Sequence, residues 1–320
     1  MNVLITGSGG FVGSKLQTEL LQKGYKIFLT DRIDKRKENY FRFNLGKDSS
    51  EDFINNFKGI EIDIVIHLAA AKGDFMLSED DFYRDNVLAT KELRKIVELM
   101  NIQNIIHYST VSVYGHKNVK KDETAELNPN NVYGETKLTS EKILIEWQKL
   151  HSSNLTILRP SVIYGENNYA NMYNLLSLLN KTFPITLGNG DYVKSMIAVE
   201  NLIDITIFVS RRMNGLQIYN CTDEPYPTLK QCMSDIAEIN GFKMPMIKIP
   251  IPLALLIAIP FEVASKLTGK DFKVTRERIH KFSMATDYRS DLIRSIGYKQ
   301  NFSTKERLQN MARWFLKLKK

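Results

Sequence analysis

The chain's 320 residues suffice for one large domain or two closely joined ones, and 43% hydrophobic with 25% charged residues describes an ordinary folded globular protein. The formal charge is +8, but 44 lysines and arginines are scattered among 36 acids with no aromatic-interleaved basic stripe, which argues against nucleic acid and suits small anions. Two cysteines, Cys221 and Cys232, without clustered histidines argue against a disulfide framework or a metal centre. Met1 leads directly into an apolar run with no signal segment, so the expected location is the cytoplasm.

Residues 3–6 predict a buried strand, and Leu16, Leu20 and Leu21 give the spacing of the helix that follows. Between them runs Thr6-Gly7-Ser8-Gly9-Gly10-Phe11-Val12-Gly13. A glycine-rich turn between strand and helix lets backbone approach a diphosphate, whose charge the N–H groups of the helix N-terminus hold. Gly7, Gly10 and Gly13 are three apart, not in the tighter Gly-x-Gly-x-x-Gly spacing. A second strand, 26–30, ends in Asp31, about 20 residues beyond the glycines, where a carboxylate can bond both ribose hydroxyls and repel a 2′-phosphate. That predicts NAD; Arg32 and Arg36 beside it keep NADP open.

Further strands are predicted at 64–68, 105–108 and 155–158, with helices over 80–100 and 133–151. The alternation gives an α/β fold, a doubly wound parallel sheet of Rossmann type with ligands beyond the carboxyl ends of its strands. After Pro160 the rhythm changes: short strands at 184–187 and 217–220 mix with helices at 200–212, 228–240 and 303–316. We expect a nucleotide-binding domain over 1–165 and a smaller mixed α/β substrate domain over 166–320, some of whose segments return to the sheet. The most apolar stretch, 249–259, is broken by Pro250 and Pro252, closed by Pro260, and too short to span a bilayer. It reads as a helix packed in the C-terminal domain or against a partner subunit, with a membrane-surface helix as the alternative.

Tyr133 and Lys137 are four apart and share one helix face. A phenol with a pKa of about 10 is a poor base at neutral pH, and a nearby ammonium favours the phenolate. The strand 105–108 runs into Ser109-Thr110-Val111-Ser112-Val113-Tyr114-Gly115, and a hydroxyl at a strand's carboxyl end can bond the oxygen that a tyrosine deprotonates. Nucleotide turn, strand-end hydroxyl and Tyr-x-x-x-Lys together make a site for moving a hydride and a proton.

With these in place the chain resembles the extended short-chain dehydrogenase/reductase family, in its sugar-nucleotide epimerase and reductase branch. His67-Leu68-Ala69-Ala70, Asn86-Val87, Leu158-Arg159-Pro160 with Tyr164-Gly165, and Ile296-Gly297-Tyr298 match that family's later signatures, so the resemblance covers nearly the whole chain. It implies Tyr133 as acid/base, Lys137 on the nicotinamide ribose, and Thr110, four positions before the Tyr114-Gly115 pair, as the strand-end hydroxyl. It also implies cofactor contacts from Gly7, Gly10, Phe11, Val12, Gly13, Asp31, Arg32, Asn44, Leu45, Leu68, Ala69, Ala70, Asn86, Ser109 and Pro160. Lys72 falls where UDP-sugar 4-epimerases turn a lysine toward the cofactor, and a solvated loop lysine is the alternative there. Substrate contacts fall on Thr110, Asn171 and Lys194.

Three positions depart from the pattern. Asn44-Leu45 stands for the usual aspartate-aliphatic pair near adenine, Val162 for an asparagine, and Lys194 for a phosphate-binding arginine, keeping the charge without its bidentate fork. A fourth decides something: Val111 and Ser112 occupy the positions of the Asp-Glu pair with which 4,6-dehydratases eliminate water, so dehydration is not expected. The resemblance therefore implies an NAD-dependent enzyme acting at C4 of a nucleotide diphosphate hexose through a 4-keto species, with 4-epimerisation favoured. The alternatives are an NAD(P)H-dependent 4-keto-sugar reductase, a 3β-hydroxysteroid dehydrogenase-like enzyme suggested by Leu267-Thr268-Gly269 and Thr275-Arg276-Glu277-Arg278, and a non-catalytic NAD-binding regulator. Leu138, Ile143, Ile145 and Trp147 exceed one sheet-facing stripe, and with the neighbouring helix 80–100 they predict a homodimer.

Overall fold

A computed structural model describes residues 1–33, 38–72, 77–115, 119–268, 275–276, 279 and 283–319. Arg36, Gly269, Glu277 and Arg278 lie outside these residues.

The strands in chain order are β1 (Asn2–Thr6), β2 (Lys26–Asp31), β3 (Tyr40–Arg42), β4 (Ile64–His67), β5 (Asn104–Tyr108), β6 (Asn154–Pro160), β7 (Val162–Tyr164), β8 (Ile185–Leu187), β9 (Met196–Ala198), β10 (Leu216–Cys221) and β11 (Ile247–Ile249). Seven of them form one parallel sheet in the order β10-β6-β5-β4-β1-β2-β3. β1, β4 and β5 are short apolar runs because both of their faces are covered. Val3 and Ile5 point to one face and Leu4 to the other, as strand alternation requires. The first face is packed by α1 (Phe11–Gln22) and α7 (Val199–Ser210), the second by α4 (Ala89–Leu99) and α5 (Val132–His151). The doubly wound sheet expected from the sequence is therefore present, and β10, from the second half of the chain, forms its edge beside β6.

The helix expected over 80–100 is three pieces: a short α3 (Glu79–Phe82), a π-helical segment Tyr83–Leu88, and α4. Ser78 opens α3 with a reciprocal capping box to Asp81. The wider π turn shifts the register of the helix face and turns Asn86 fully inward. α5 starts beside the expected position because the Asn131 side chain accepts from Gly134 N–H at 2.9 Å, and it ends where Ser152 turns left-handed at φ 49°.

Three of the four side chains that prompted the homodimer are used within the chain. Trp147 is fully buried under the sheet, Ile145 packs beside it, and Leu138 packs against the small core of Val111, Tyr114 and Tyr288. Outward, Arg94 of α4 pairs with Glu98 one turn along its own helix and with Glu146 of α5.

Beyond β7 a second core forms between α6 (Asn171–Leu179), α8 (Leu229–Ala237) and the last helix, Thr304–Leu318. β7 pairs with β9 and β8 with β11, both in parallel. The apolar stretch becomes α9 (Ile251–Thr268), with Pro252 in its first turn, where no donor is missed, and Pro260 inside it. Ala254 and Ala258 pack onto Leu187 and Ile249 of the small sheet. The sequence expectation of a packed helix holds for that stripe alone: Leu253, Leu256, Ile257 and Ile259 face solvent. Among the described residues no helix is long and apolar enough to cross a membrane.

Candidate active site

The glycine turn sits at the carboxyl end of β1. Gly7 has φ +66°, and a Cβ there would stand 2.6 Å from the Ala69 backbone nitrogen; one on Gly13 would stand 2.5 Å from the Gly7 carbonyl oxygen. Only glycine lets β1, the loop after β4 and the start of α1 meet at this distance. No side chain caps α1, so its first N–H groups at Phe11 and Val12 remain for an anion. Asp31 ends β2 with one carboxylate oxygen accepting from Gly9 N–H at 2.9 Å. Arg32 is turned to Asp85 at 3.2 Å rather than over Asp31. This cradle, with a carboxylate at its far end, fits a dinucleotide whose adenosine ribose carries free hydroxyls.

The remaining residues expected around the cofactor divide in two. Leu68 and Ala69 line the turn, with Leu68 N–H donating to the Thr6 carbonyl and Ala69 N–H to the Thr6 hydroxyl. Pro160 closes β6 at the same edge, Ala70 is exposed beside the turn, and Gly10 is exposed in it. Asn44 stands after β3 and uses its carbonyl on Gly46 N–H, while Leu45 is buried in a phenylalanine-rich core with Phe43 and Phe53. Lys72 is exposed.

Asn86 and Ser109 face inward. The Asn86 side chain accepts from Ala71 N–H at 2.8 Å and donates to the Thr136 hydroxyl at 2.9 Å, clamping the loop after β4 to α5. Ser109 donates to Glu141.

Thr110, two residues beyond β5, caps the 3-10 turn Val111–Tyr114 by accepting from Ser112 N–H, and its side chain acts on the Tyr133 phenol. Tyr133, in the first turn of α5, packs its ring against Phe82. Burial holds its phenol above the usual 10, opposed by the Thr110 hydroxyl. Lys137 follows one helical turn later and is buried, and burial brings its ammonium down to about 7 against the pull of Glu141. Its Nζ lies 3.4 Å from His107 Nε2. The ammonium that the sequence places beside the phenol is thus turned toward the sheet, and burial governs the phenol.

Behind Lys137 lies a buried polar chain that the sequence reading passed over. His107 stacks on His67 at 5.2 Å, and His67 Nδ1 lies 2.7 Å from the Thr6 hydroxyl. Glu141, a further turn along α5, takes Arg159 through both of its oxygens, at 3.0 and 2.6 Å. The signal was available: Tyr133, Lys137 and Glu141 repeat at four-residue spacing, and Arg159 stands in the quoted Leu-Arg-Pro segment. On the substrate side, Asn171 is the exposed first residue of α6. Lys194 is partly buried, with Nζ donating to the Met284 carbonyl at 2.6 Å and lying over the Tyr192 ring; burial lowers it to about 8.

The fold and site define an NAD-dependent enzyme of the extended short-chain dehydrogenase type. The model of the NAD dependent epimerase/dehydratase family matches residues 3–222, and the chain belongs to that family. Over 318 residues, 98% of this chain and 95% of the other, it is 30% identical to the N-acetyl-alpha-D-glucosaminyl-diphospho-ditrans,octacis-undecaprenol 4-epimerase of Escherichia coli O157:H7. It is 26% identical to the UDP-glucose 4-epimerase of Vibrio cholerae over 86% of this chain and 84% of that one. The crystal structure of UDP-glucuronic acid 4-epimerase from Bacillus cereus in complex with NAD superposes with a TM-score of 0.77 at 18% identity, covering 100% of both chains.

Proposed function

We propose that the protein is a 4-epimerase for a hexose carried on a diphosphate, working through a 4-keto sugar. The observation that carries this is the packing of the start of α5, which bears Tyr133 and Lys137, on the Thr110-capped turn at the carboxyl end of β5: a Cβ on Gly134 would stand 2.7 Å from the Ser112 carbonyl oxygen. NAD, bound through Gly7, Gly13, the α1 N-terminus and Asp31, supplies the acceptance and return of one hydride at C4. Tyr133 removes the O4 proton and later returns it. Thr110 holds that oxygen against the phenol. Lys137, buried and close to losing its proton near neutral pH, balances charge as the phenol titrates. Lys194 faces the carrier's diphosphate. In this reading residues 1–165 hold the cofactor and the acid/base groups, and 166–320 hold the sugar's carrier. Val111 is buried and Ser112 is committed to the turn, which leaves no proton-transferring pair beside Thr110 for dehydration.

Relatives carry the sugar on a uridine or on an undecaprenol diphosphate. We read the carrier here as polyprenol: the solvent-facing apolar side of α9 favours it over a water-soluble nucleotide. The test supplies the purified protein and NAD with polyprenyl diphosphate N-acetylglucosamine, and separately with UDP-N-acetylglucosamine and UDP-glucose, in deuterated water. Inversion at C4 without added NADH and without deuterium at C4 is expected, and Tyr133→Phe should slow it by about two orders of magnitude or more. Conversion that consumes NADH stoichiometrically would make the enzyme a reductase, and unchanged turnover in Tyr133→Phe would remove the tyrosine from the chemistry.

A further inference from the structure

A helix that is apolar on every side is one that buries every side. α9 buries one stripe, Ala254 and Ala258, on the small sheet, and shows solvent the opposite one: Leu253, Leu256, Ile257 and Ile259, with Leu256 63% exposed. The sheet beneath continues that apolar surface. Leu187 and Ile249 face α9, so strand alternation puts Ile185 and its register partner Ile247 on the same side, and both are exposed. The two most exposed large apolar side chains among the described residues, Met246 at 81% and Phe183 at 70%, flank these strands. Scattered exposed leucines need no explanation, but a contiguous face of this kind does.

The surrounding charge is positive in excess. Lys181, Lys243 and Lys248 are exposed between these apolar residues, and 180–190 and 241–261 contain no acid. The adjoining acids, Asp191 and Glu262, are paired with Lys230 and Arg276. In the sequence, Lys266, Lys270 and Lys273 follow, with Asp271 among them. A symmetric contact between two copies of the face would bring the same lysines together, whereas an anionic bilayer attracts them as their stems snorkel past the apolar plane. α9 has Pro260 within it and is not of membrane-spanning character, so it would lie in the interface rather than cross it.

We propose that the solvent side of α9, together with Ile185, Ile247, Phe183 and Met246, docks on an anionic lipid bilayer and so brings the site to a sugar whose diphosphate is anchored there. The purpose of this surface rests on the polyprenyl reading above; its geometry does not. The full-length protein is tested by flotation with phosphatidylcholine vesicles, with and without phosphatidylglycerol. Wild type should float with the anionic vesicles, and less so in high salt. Leu256→Glu with Ile257→Glu should weaken partition by about tenfold or more while NAD binding and the unfolding temperature stay unchanged. If that variant fails to fold, Phe183→Ser with Met246→Ser makes the same test from the sheet side. Failure of wild type to float, equal flotation of the variants, or a two-chain mass by light scattering that the glutamates split would each overturn the proposal. Flotation without turnover of any diphosphate sugar would instead overturn the proposed function and leave the surface standing.

Discussion

Asp31 holds two parts of the site with one carboxylate. One oxygen fixes Gly9 of the diphosphate turn and the other accepts from Ile33 N–H, so the end of β2 and the glycine loop keep a common geometry. In the proposed complex the same group bonds the adenosine ribose. Replacing it with alanine removes charge-assisted hydrogen bonds worth about 1.5–3 kcal/mol each and also the repulsion of a 2′-phosphate. Asp31→Ala should therefore weaken NAD by about tenfold or more and NADP less, read by titrating both cofactors. A wild type that already prefers NADP would overturn this role and favour the reductase. At this scale the sequence marks the residues of the glycine turn, because the close approaches at Gly7 and Gly13 dictate their type and spacing. It hides those that meet each other: Asn86 and Ser109 carry the same polar groups either way, and only packing decides that they face α5.

β4 and β5 bring His67 and His107 side by side in register, and both imidazoles are buried. Burial first, and the charge of Lys137 second, push His67 down to about 3 and His107 well below its usual 6.5. A base whose pKa is lower folded than unfolded stays neutral in the fold while the unfolded chain takes up protons. The stability it contributes is complete above pH 6.5 and is lost as pH falls toward the folded value. At pH 5, about 1.5 units below the unfolded pKa, His67 removes about 2 kcal/mol, and His107 acts in the same direction. Calorimetry should show the unfolding temperature falling by several degrees from pH 7.5 to 5, with a shallower fall in His107→Phe. Equal slopes in the two proteins would show that the pair does not govern acid stability. Elements themselves were legible wherever periodicity was long, as in α5. The three-residue strands β3, β7, β9 and β11 carry too few alternations to read, and the π turn over Tyr83–Leu88 leaves no pattern of its own.

At the scale of the whole molecule, the main sheet runs across the boundary expected at residue 165. β10 pairs with β6 from Leu216 opposite Leu155 to Cys221 opposite Pro160, and α7 covers one face of the sheet beside α1. Leu202, Ile203, Ile205, Ile207, Val209, Tyr219 and Cys221 are all buried in that face, and all come from beyond residue 165. At about 1.5–3 kcal/mol per buried side chain they supply about 10–20 kcal/mol, and even reduced for a compact unfolded chain this matches the 5–15 kcal/mol by which a typical domain is stable. A fragment of residues 1–165 would also expose the apolar, hydrogen-bonding edge of β6. It should show no cooperative thermal transition and should aggregate, whereas the full chain unfolds with a single transition that NAD raises: at about 100 times its Kd the cofactor adds about 2.7 kcal/mol. The decisive measurement is calorimetry of the fragment. A cooperative peak with native-like circular dichroism would mean that the first 165 residues close their own core, and that β10 and α7 only lean on a sheet already complete.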